Sequence, residues 1–222
     1  PSDFNEITKK IIADVRSFTM TSPERINALV YATLYISKFK IEGNIVECGV
    51  WKGGSMMAAA LALKHCGDLS RDLYLYDTFA GMTAPGEADG DFARNKFADL
   101  RSAENSSSWC CSPLEEVRAH ILSTGYPSNK LHFIKGEIES TIPKNLPEKI
   151  ALLRLDTDWY ESTKHELKHL FPLLQDKGVL IIDDYGRWEG ARKAVDEYFH
   201  ERCVPILLNR IDSTGRIAIK TS

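Results

Sequence analysis

Acids stand at the ends of several β-like runs in this 222-residue chain. Leu155-Asp156-Thr157-Asp158 closes one run and Ile182-Asp183-Asp184 closes another. Carboxylates crowded into one crevice repel each other unless a cation neutralises them. Asp156, Asp183 and Asp184 are therefore the expected ligands of a hard, oxygen-liganded ion such as Mg²⁺, with water or substrate oxygens completing the shell. Each acid taken singly reads as well as a helix cap or loop residue, and it is the set of three that points to a metal.

A second group of residues suits a nucleoside. An earlier β-like run passes directly into Glu47-Cys48-Gly49-Val50-Trp51-Lys52-Gly53-Gly54-Ser55 and then into an Ala-rich helix. Glycines at such a turn admit a ligand close to the backbone, and the helix start offers unpaired N–H groups to an anion. The spacing is not that of the dinucleotide fingerprint GxGxxG, and glycines also serve plain tight turns. Asp77 closes the next run, where ribose-binding acids stand in open α/β sheets. Gly136-Glu137-Ile138 closes a third, offering a polar and an apolar residue to a base.

The elements that position these residues alternate between short β-like runs and segments of helical length, which predicts a doubly wound α/β sheet, mostly parallel and seven-stranded. The runs are 44–50, 73–77, 131–135, 150–156 and 179–183. In open α/β sheets ligands bind at the carboxyl ends of the strands, so all the residues named above face one crevice. Ser22-Pro23 opens a helix whose Ile26, Leu29, Val30 and Leu34 share a face. Ser112-Pro113-Leu114-Glu115 reads as a capping box before Val117, Ile121 and Leu122. Val204 to Leu208 and Arg216 to Ile219 flank Asp212-Ser213-Thr214-Gly215 and predict a C-terminal antiparallel hairpin. Arg154, in a central strand, needs an acid such as Glu47 beside it. Trp188 to Arg192 either borders an acceptor or simply begins a helix.

With no repeat along it, the chain is expected to form one domain over residues 1–222, with a lid or insertion at about 80–109, where the periodic pattern breaks down and Phe92 and Phe97 suggest a short helix. Hydrophobic residues make up 43% and charged ones 27%, which suits a soluble globular protein. No apolar run is long enough to span a membrane, and the first residues lack a secretory pattern, so a cytoplasmic protein with no membrane partner is expected. A net charge of −3 argues against a nucleic-acid surface. Five cysteines without a CxxC pair read as reduced thiols. The N-terminal helix and the final hairpin leave room for a homo-oligomer.

Taken together, VECGVWKGGS, LYLYDTFAGM, LLRLDTDWYEST and LIIDDYGRWEGARKAVDEYF resemble the macrocin-type (TylF-like) O-methyltransferases that tailor natural products and deoxysugars, over roughly residues 21–199. The resemblance implies a Rossmann-like class I methyltransferase fold and methyl transfer from S-adenosylmethionine to a metal-bound hydroxyl of a sugar or natural-product acceptor. It implies that Glu47, Gly49, Gly54 and Ser55 hold the methionine end, that Asp77 takes the ribose, and that Asp156, Asp183 and Asp184 ligate Mg²⁺. Thr21, Thr78, Ser108, Trp109, Glu137, Ile138 and Asp156 complete the implied cosubstrate site. Asp158 matches a position proposed as general base, with Asp156 as its catalytic partner. The chain is shorter at its front than such relatives, so acceptor identity does not transfer.

Two rival readings come from other classes. His165-Glu166-Leu167-Lys168-His169 satisfies HExxH, the zinc protease pattern, but continues into Leu170-Phe171-Pro172 without the metzincin extension. A nicotinamide nucleotide-binding domain would share the fold, yet it has little use for three acids beside a pyrophosphate.

Overall fold

The computed structural model describes residues 1–103 and 106–221, so residues 104 and 105 of the expected lid lie outside the described residues. Nine strands run β1 (Asn44–Cys48), β2 (Leu73–Asp77), β3 (Arg101–Ala103), β4 (Ser106–Ser107), β5 (Leu131–Lys135), β6 (Ile150–Leu155), β7 (Leu174–Ile182), β8 (Asn209–Arg210) and β9 (Arg216–Ile219). Before β1 come α1 (Glu6–Val15) and α2 (Pro23–Lys38), and between the strands lie α3 (Gly54–Cys66), α4 (Gly90–Leu100), α5 (Leu114–Ser123), α6 (Ile138–Thr141), α7 (Tyr160–Leu170) and α8 (Glu189–Glu201). Seven of the strands form one sheet in the order β5-β2-β1-β6-β7-β9-β8, parallel except where β9 pairs with β7 and β8. The doubly wound sheet with its antiparallel C-terminal hairpin is thus the observed fold.

The strands are apolar on both faces because helices cover both. Ile45, Leu73, Leu75, Leu152, Val179 and Ile181 pack under α1, α2, α3 and α5. Val46, Leu153, Leu155, Leu180 and Ile182 pack on the other face against α7 and α8. Alternation along each strand continues past the apolar residues. Glu47, Arg154 and Asp183 share the parity of Ile45, Leu152 and Ile181, so they fall on the face that α2 covers. Asp184 has the opposite parity.

Local signals mostly hold. Ser22 accepts a hydrogen bond from the Arg25 N–H and caps α2, with Pro23 in its first turn. Two expectations fail. The segment 204–208 is not a strand, and pairing begins only at Asn209, which faces Ile217. Pro205 lacks the N–H a ladder requires. Nor does Ser112 cap α5: Pro113 is the N-cap, and the Ser112 hydroxyl is buried without a hydrogen-bond partner.

The segment from Phe79 to Trp109 contains α4 and the small β3-β4 pair. Its anchor is Asp89, whose Oδ1 accepts from the Tyr160 N–H at 2.7 Å and whose Oδ2 accepts from the Gly86 N–H at 2.7 Å. Ala93 of α4 joins Trp159, Trp188 and Ala191 in a small cluster with Met82 and Trp109 against it. Among the described residues no helix is long and apolar enough to cross a membrane.

Candidate active site

A cavity of about 480 Å³ opens at the carboxyl ends of the parallel strands. At the end of β1 the chain turns sharply. Gly49 has φ +82°, and a Cβ there would sit 2.1 Å from the Asp156 carbonyl oxygen, so only glycine lets the ends of β1 and β6 approach. Gly53, at φ +90°, precedes α3 and leaves its first N–H groups facing the cavity side of the turn.

Asp77 fastens this turn to β2. Its Oδ2 accepts from the N–H of Val50 at 2.6 Å and of Trp51 at 3.1 Å, and its Oδ1 from that of Phe79 at 2.6 Å. Burial raises its pKa, against the pull of these bonds. The Thr78 hydroxyl is a fourth and longer donor, to Oδ1 at 3.4 Å, and is the one a ligand hydroxyl would displace. Thr21, Gly49, Gly54, Ser55, Asp77 and Thr78 all line the cavity, as do Trp109, Glu137, Ile138 and Asp156. Two expected residues do not. Ser108 is exposed, with its hydroxyl donating to the Leu100 carbonyl. Glu47 lies beneath the floor.

That floor is a buried ionic row. Arg154 Nη1 meets Glu47 Oε1 at 2.6 Å and Asp156 Oδ2 at 2.8 Å, while its Nη2 meets Asp183 Oδ1 at 2.6 Å and Thr21 Oγ1 at 3.1 Å. Arg25 of α2 takes the other Asp183 oxygen and also meets Asp212 at 2.9 Å. Strand register explains the row, since Glu47 lies opposite Arg154 and the Asp183 N–H bonds to the Leu155 carbonyl next to it. Burial lifts the Glu47 carboxyl to about 7 despite Arg154, and its Oε2 has no partner.

The carboxylates that converge are Asp156, Asp158 and Asp184, whose oxygens lie within 4.8 Å of one another. Asp158 stands where Asp183 was expected, because Asp183 is turned to the α2 face and held there by two guanidinium groups. Asp158 has φ +70°, a left-handed turn immediately after β6. Burial, reinforced by the neighbouring acids, raises Asp156 and Asp184 well above the ordinary carboxylate range. Burial likewise lifts Asp158 to about 7, with a hydrogen bond from Asp184 acting the other way. Asp184 Oδ2 is buried and has no hydrogen-bond partner. Three mutually repelling oxygens and one orphaned oxygen are a donor set that fits a hard divalent cation.

Some cavity residues escaped the sequence reading. Arg25, Lys96, Cys110, Arg187 and Thr214 line it from α2, α4, the segment after β4, the start of α8 and the hairpin turn. No local motif marks them, although Arg187 adjoins Trp188, which the sequence offered as bordering an acceptor or beginning a helix. The HExxH segment is divided by its helix. Glu166 is fully buried and accepts from the Thr157 hydroxyl at 2.9 Å, whereas His165 and His169 are half-buried and meet at a tilt, ring centroids 4.5 Å apart. All five cysteines are free.

Comparison with known proteins agrees with this geometry. The family model of the macrocin O-methyltransferases (TylF) matches residues 6–219. A rhamnosyl-tetracenomycin-C 4'-O-methyltransferase of Streptomyces olivaceus is 32% identical over 197 residues, 89% of this chain and 73% of the relative. The mycinamicin III 3''-O-methyltransferase of Micromonospora griseorubida is 29% identical, covering 89% of this chain and 76% of its own length. The solved O-methyltransferase NovP superposes with a TM-score of 0.84 at 27% identity, over 92% of this chain and 83% of that one. A match over nearly the whole length places the chain in the macrocin O-methyltransferase (TylF) family and makes it an O-methyltransferase.

Proposed function

We propose that the chain transfers the methyl group of S-adenosylmethionine to a hydroxyl oxygen of a sugar or glycosylated natural product, with a divalent cation of the Mg²⁺ type at the strand-end carboxylates. The observation that carries this reading is the adjacency of two sites in one cavity. The glycine turn with Asp77 and Glu137 suits a nucleoside with an amino-acid tail, and the acids Asp156, Asp158 and Asp184 lie beyond it along the sheet.

A sulfonium methyl is already electrophilic, so the chain has mainly to align the acceptor oxygen and receive its proton. Asp77 would orient the ribose hydroxyls, and the open N–H groups at the start of α3, with Ser55, would receive the carboxylate. Asp156 and Asp184 would hold the cation, joined by Asp158 or, if it left Arg25, by Asp183. When bound, such a cation lowers the pKa of a hydroxyl and fixes its direction. Where Asp183 rather than Asp158 completes the cation's ligands, the Asp158 carboxylate beside them would accept the acceptor's proton. The segment from Phe79 to Trp109 would exclude water as a lid.

Asp184→Asn tests this reading. Turnover with Mg²⁺ should fall by at least ~100-fold while S-adenosylhomocysteine affinity stays within a fewfold, because the change removes a charged ligand of the cation and leaves the nucleoside side of the cavity intact. Undiminished turnover would remove the cation from the reaction.

A further inference from the structure

Four cationic side chains line the cavity, and they divide into two pairs. Arg25 and Arg154 are consumed by Asp183, Asp212, Glu47 and Asp156. Lys96 and Arg187 have no carboxylate within 4.0 Å among the described residues. They also sit apart from the buried row, on the side of the cavity that α4 and the start of α8 build. Lys96 Nζ lies 4.1 Å from the ring centroid of Trp109, and the Arg187 guanidinium 5.3 Å from that of Trp188 and 5.9 Å from that of Phe92.

These aromatic rings pack into one cluster, whose wall toward the cavity is Trp109 and Trp188. Trp109 and Trp188 meet edge-on at 5.9 Å, Trp159 packs against both, and Phe92 stacks on Trp188 at 5.9 Å. Phe92 and Lys96 are four residues apart on α4, so one face of that helix delivers both to the cluster. Two rings set edge-on offer apolar surface to a sugar ring, and the cations at the edges of this wall suit negative charge that the wall itself lacks. Lys96 is half-buried and Arg187 exposed, and with no carboxylate within 4.0 Å among the described residues both charges are available to an anionic group of a ligand.

We infer that the acceptor is an anionic sugar, its ring against Trp109 and Trp188 and its phosphate or carboxylate group received by Lys96 and Arg187. This rests on the proposed methyl transfer and adds the charge of the substrate. Arg187 offers a planar fork and Lys96 a point charge, a pairing that suits the spread charge of a phosphate more than a single carboxylate.

The test uses the intact chain loaded with S-adenosylhomocysteine and Mg²⁺, titrated in a calorimeter with three probes: UDP-glucose, methyl β-D-glucuronide and methyl β-D-glucoside. The charged probes should bind at least ~10-fold more tightly than the neutral glucoside, and the stronger of the two identifies phosphate or carboxylate as the source. Lys96→Met and Arg187→Met should each weaken the preferred probe ~5-fold or more, and raising the salt should do the same. Both variants should leave the neutral probe and S-adenosylhomocysteine unaffected. Equal affinity for all three probes, or equal losses on charged and neutral probes in the variants, overturns the inference. If S-adenosylhomocysteine itself does not bind, the failure lies in the methyltransferase reading and is seen before any sugar is added.

Discussion

Replacing Arg154 by Met should destabilise the protein more than any other single change in the site, and the structure sets the size. The guanidinium is 4% exposed and meets Glu47, Asp156 and Asp183 within 2.8 Å. Removing one partner of a buried ion pair costs about 3–5 kcal/mol, because the other charge stays buried without compensation. Two features place Arg154→Met near the lower figure. Arg25 still holds Asp183 in the variant. Glu47, already lifted to about 7 by burial, can become neutral near pH 7 at small extra cost. A loss of about 3 kcal/mol corresponds to a fall in Tm of roughly 6–12 °C for a domain of this size.

The pH dependence has a definite sign. Without Arg154 nothing opposes the burial of Glu47, so its folded pKa moves above 7. Below pH 7 the carboxyl is protonated in both proteins and contributes no difference. Above pH 7 it ionises beside Arg154 only in the parent, so the deficit widens as pH rises. Thermal melts followed by circular dichroism at pH 6 and pH 8.5 measure this. A deficit under ~2 °C at both values, or one that narrows between pH 6 and pH 8.5, would refute the reasoning.

Other changes have equally definite outcomes. Gly49→Ala drives a Cβ into the Asp156 carbonyl in a left-handed conformation, so the Tm should fall by several degrees and S-adenosylhomocysteine binding should weaken with it. A parent-like melt would contradict the close approach of β1 and β6. Asp77→Ala removes both the ribose acceptor and the clamp on Val50, Trp51 and Phe79, and calorimetry should record a Kd for S-adenosylhomocysteine at least ~10-fold higher. Asp212 is opposed by burial but held at about 2 by Ser22, the N–H groups of Gly215 and Thr214, and Arg25. Its folded pKa is depressed, so its stabilisation is complete above pH ~4 and is lost as pH falls toward 2. Urea unfolding of Asp212→Ala should therefore show a deficit at pH 7 that shrinks at pH 3, and a constant deficit would argue against the ionic contact.

The sheet was legible because its strands are short apolar runs closed by polar residues. β2 and β5 keep the bounds that the sequence suggests. The pairing of Arg154 with Glu47 was legible too, since a lone guanidinium in a central strand has no alternative to a neighbouring acid. The grouping of the aspartates was not. Asp183 and Asp184 are adjacent in sequence, but a strand sends neighbours to opposite faces, and only the position of α2 shows that Arg25 waits on the face of Asp183. Asp158 enters the cluster through a left-handed turn that no residue type in Asp156-Thr157-Asp158 announces. Lys96 and Arg187 come from elements far apart in sequence, and α4 has to fold over the sheet before they share a wall.

The central claim is methyl transfer at the cavity where Asp77 and the acids Asp156, Asp158 and Asp184 meet. Its most direct measurement is mass spectrometry of a panel of sugar nucleotides and deoxysugar glycosides incubated with the protein, S-adenosylmethionine and Mg²⁺. One acceptor should gain a single methyl on a hydroxyl oxygen, EDTA should stop the gain, and Asp184→Asn should fail to produce it even with Mg²⁺ present. Methylation that proceeds unchanged in EDTA and in Asp184→Asn would contradict it.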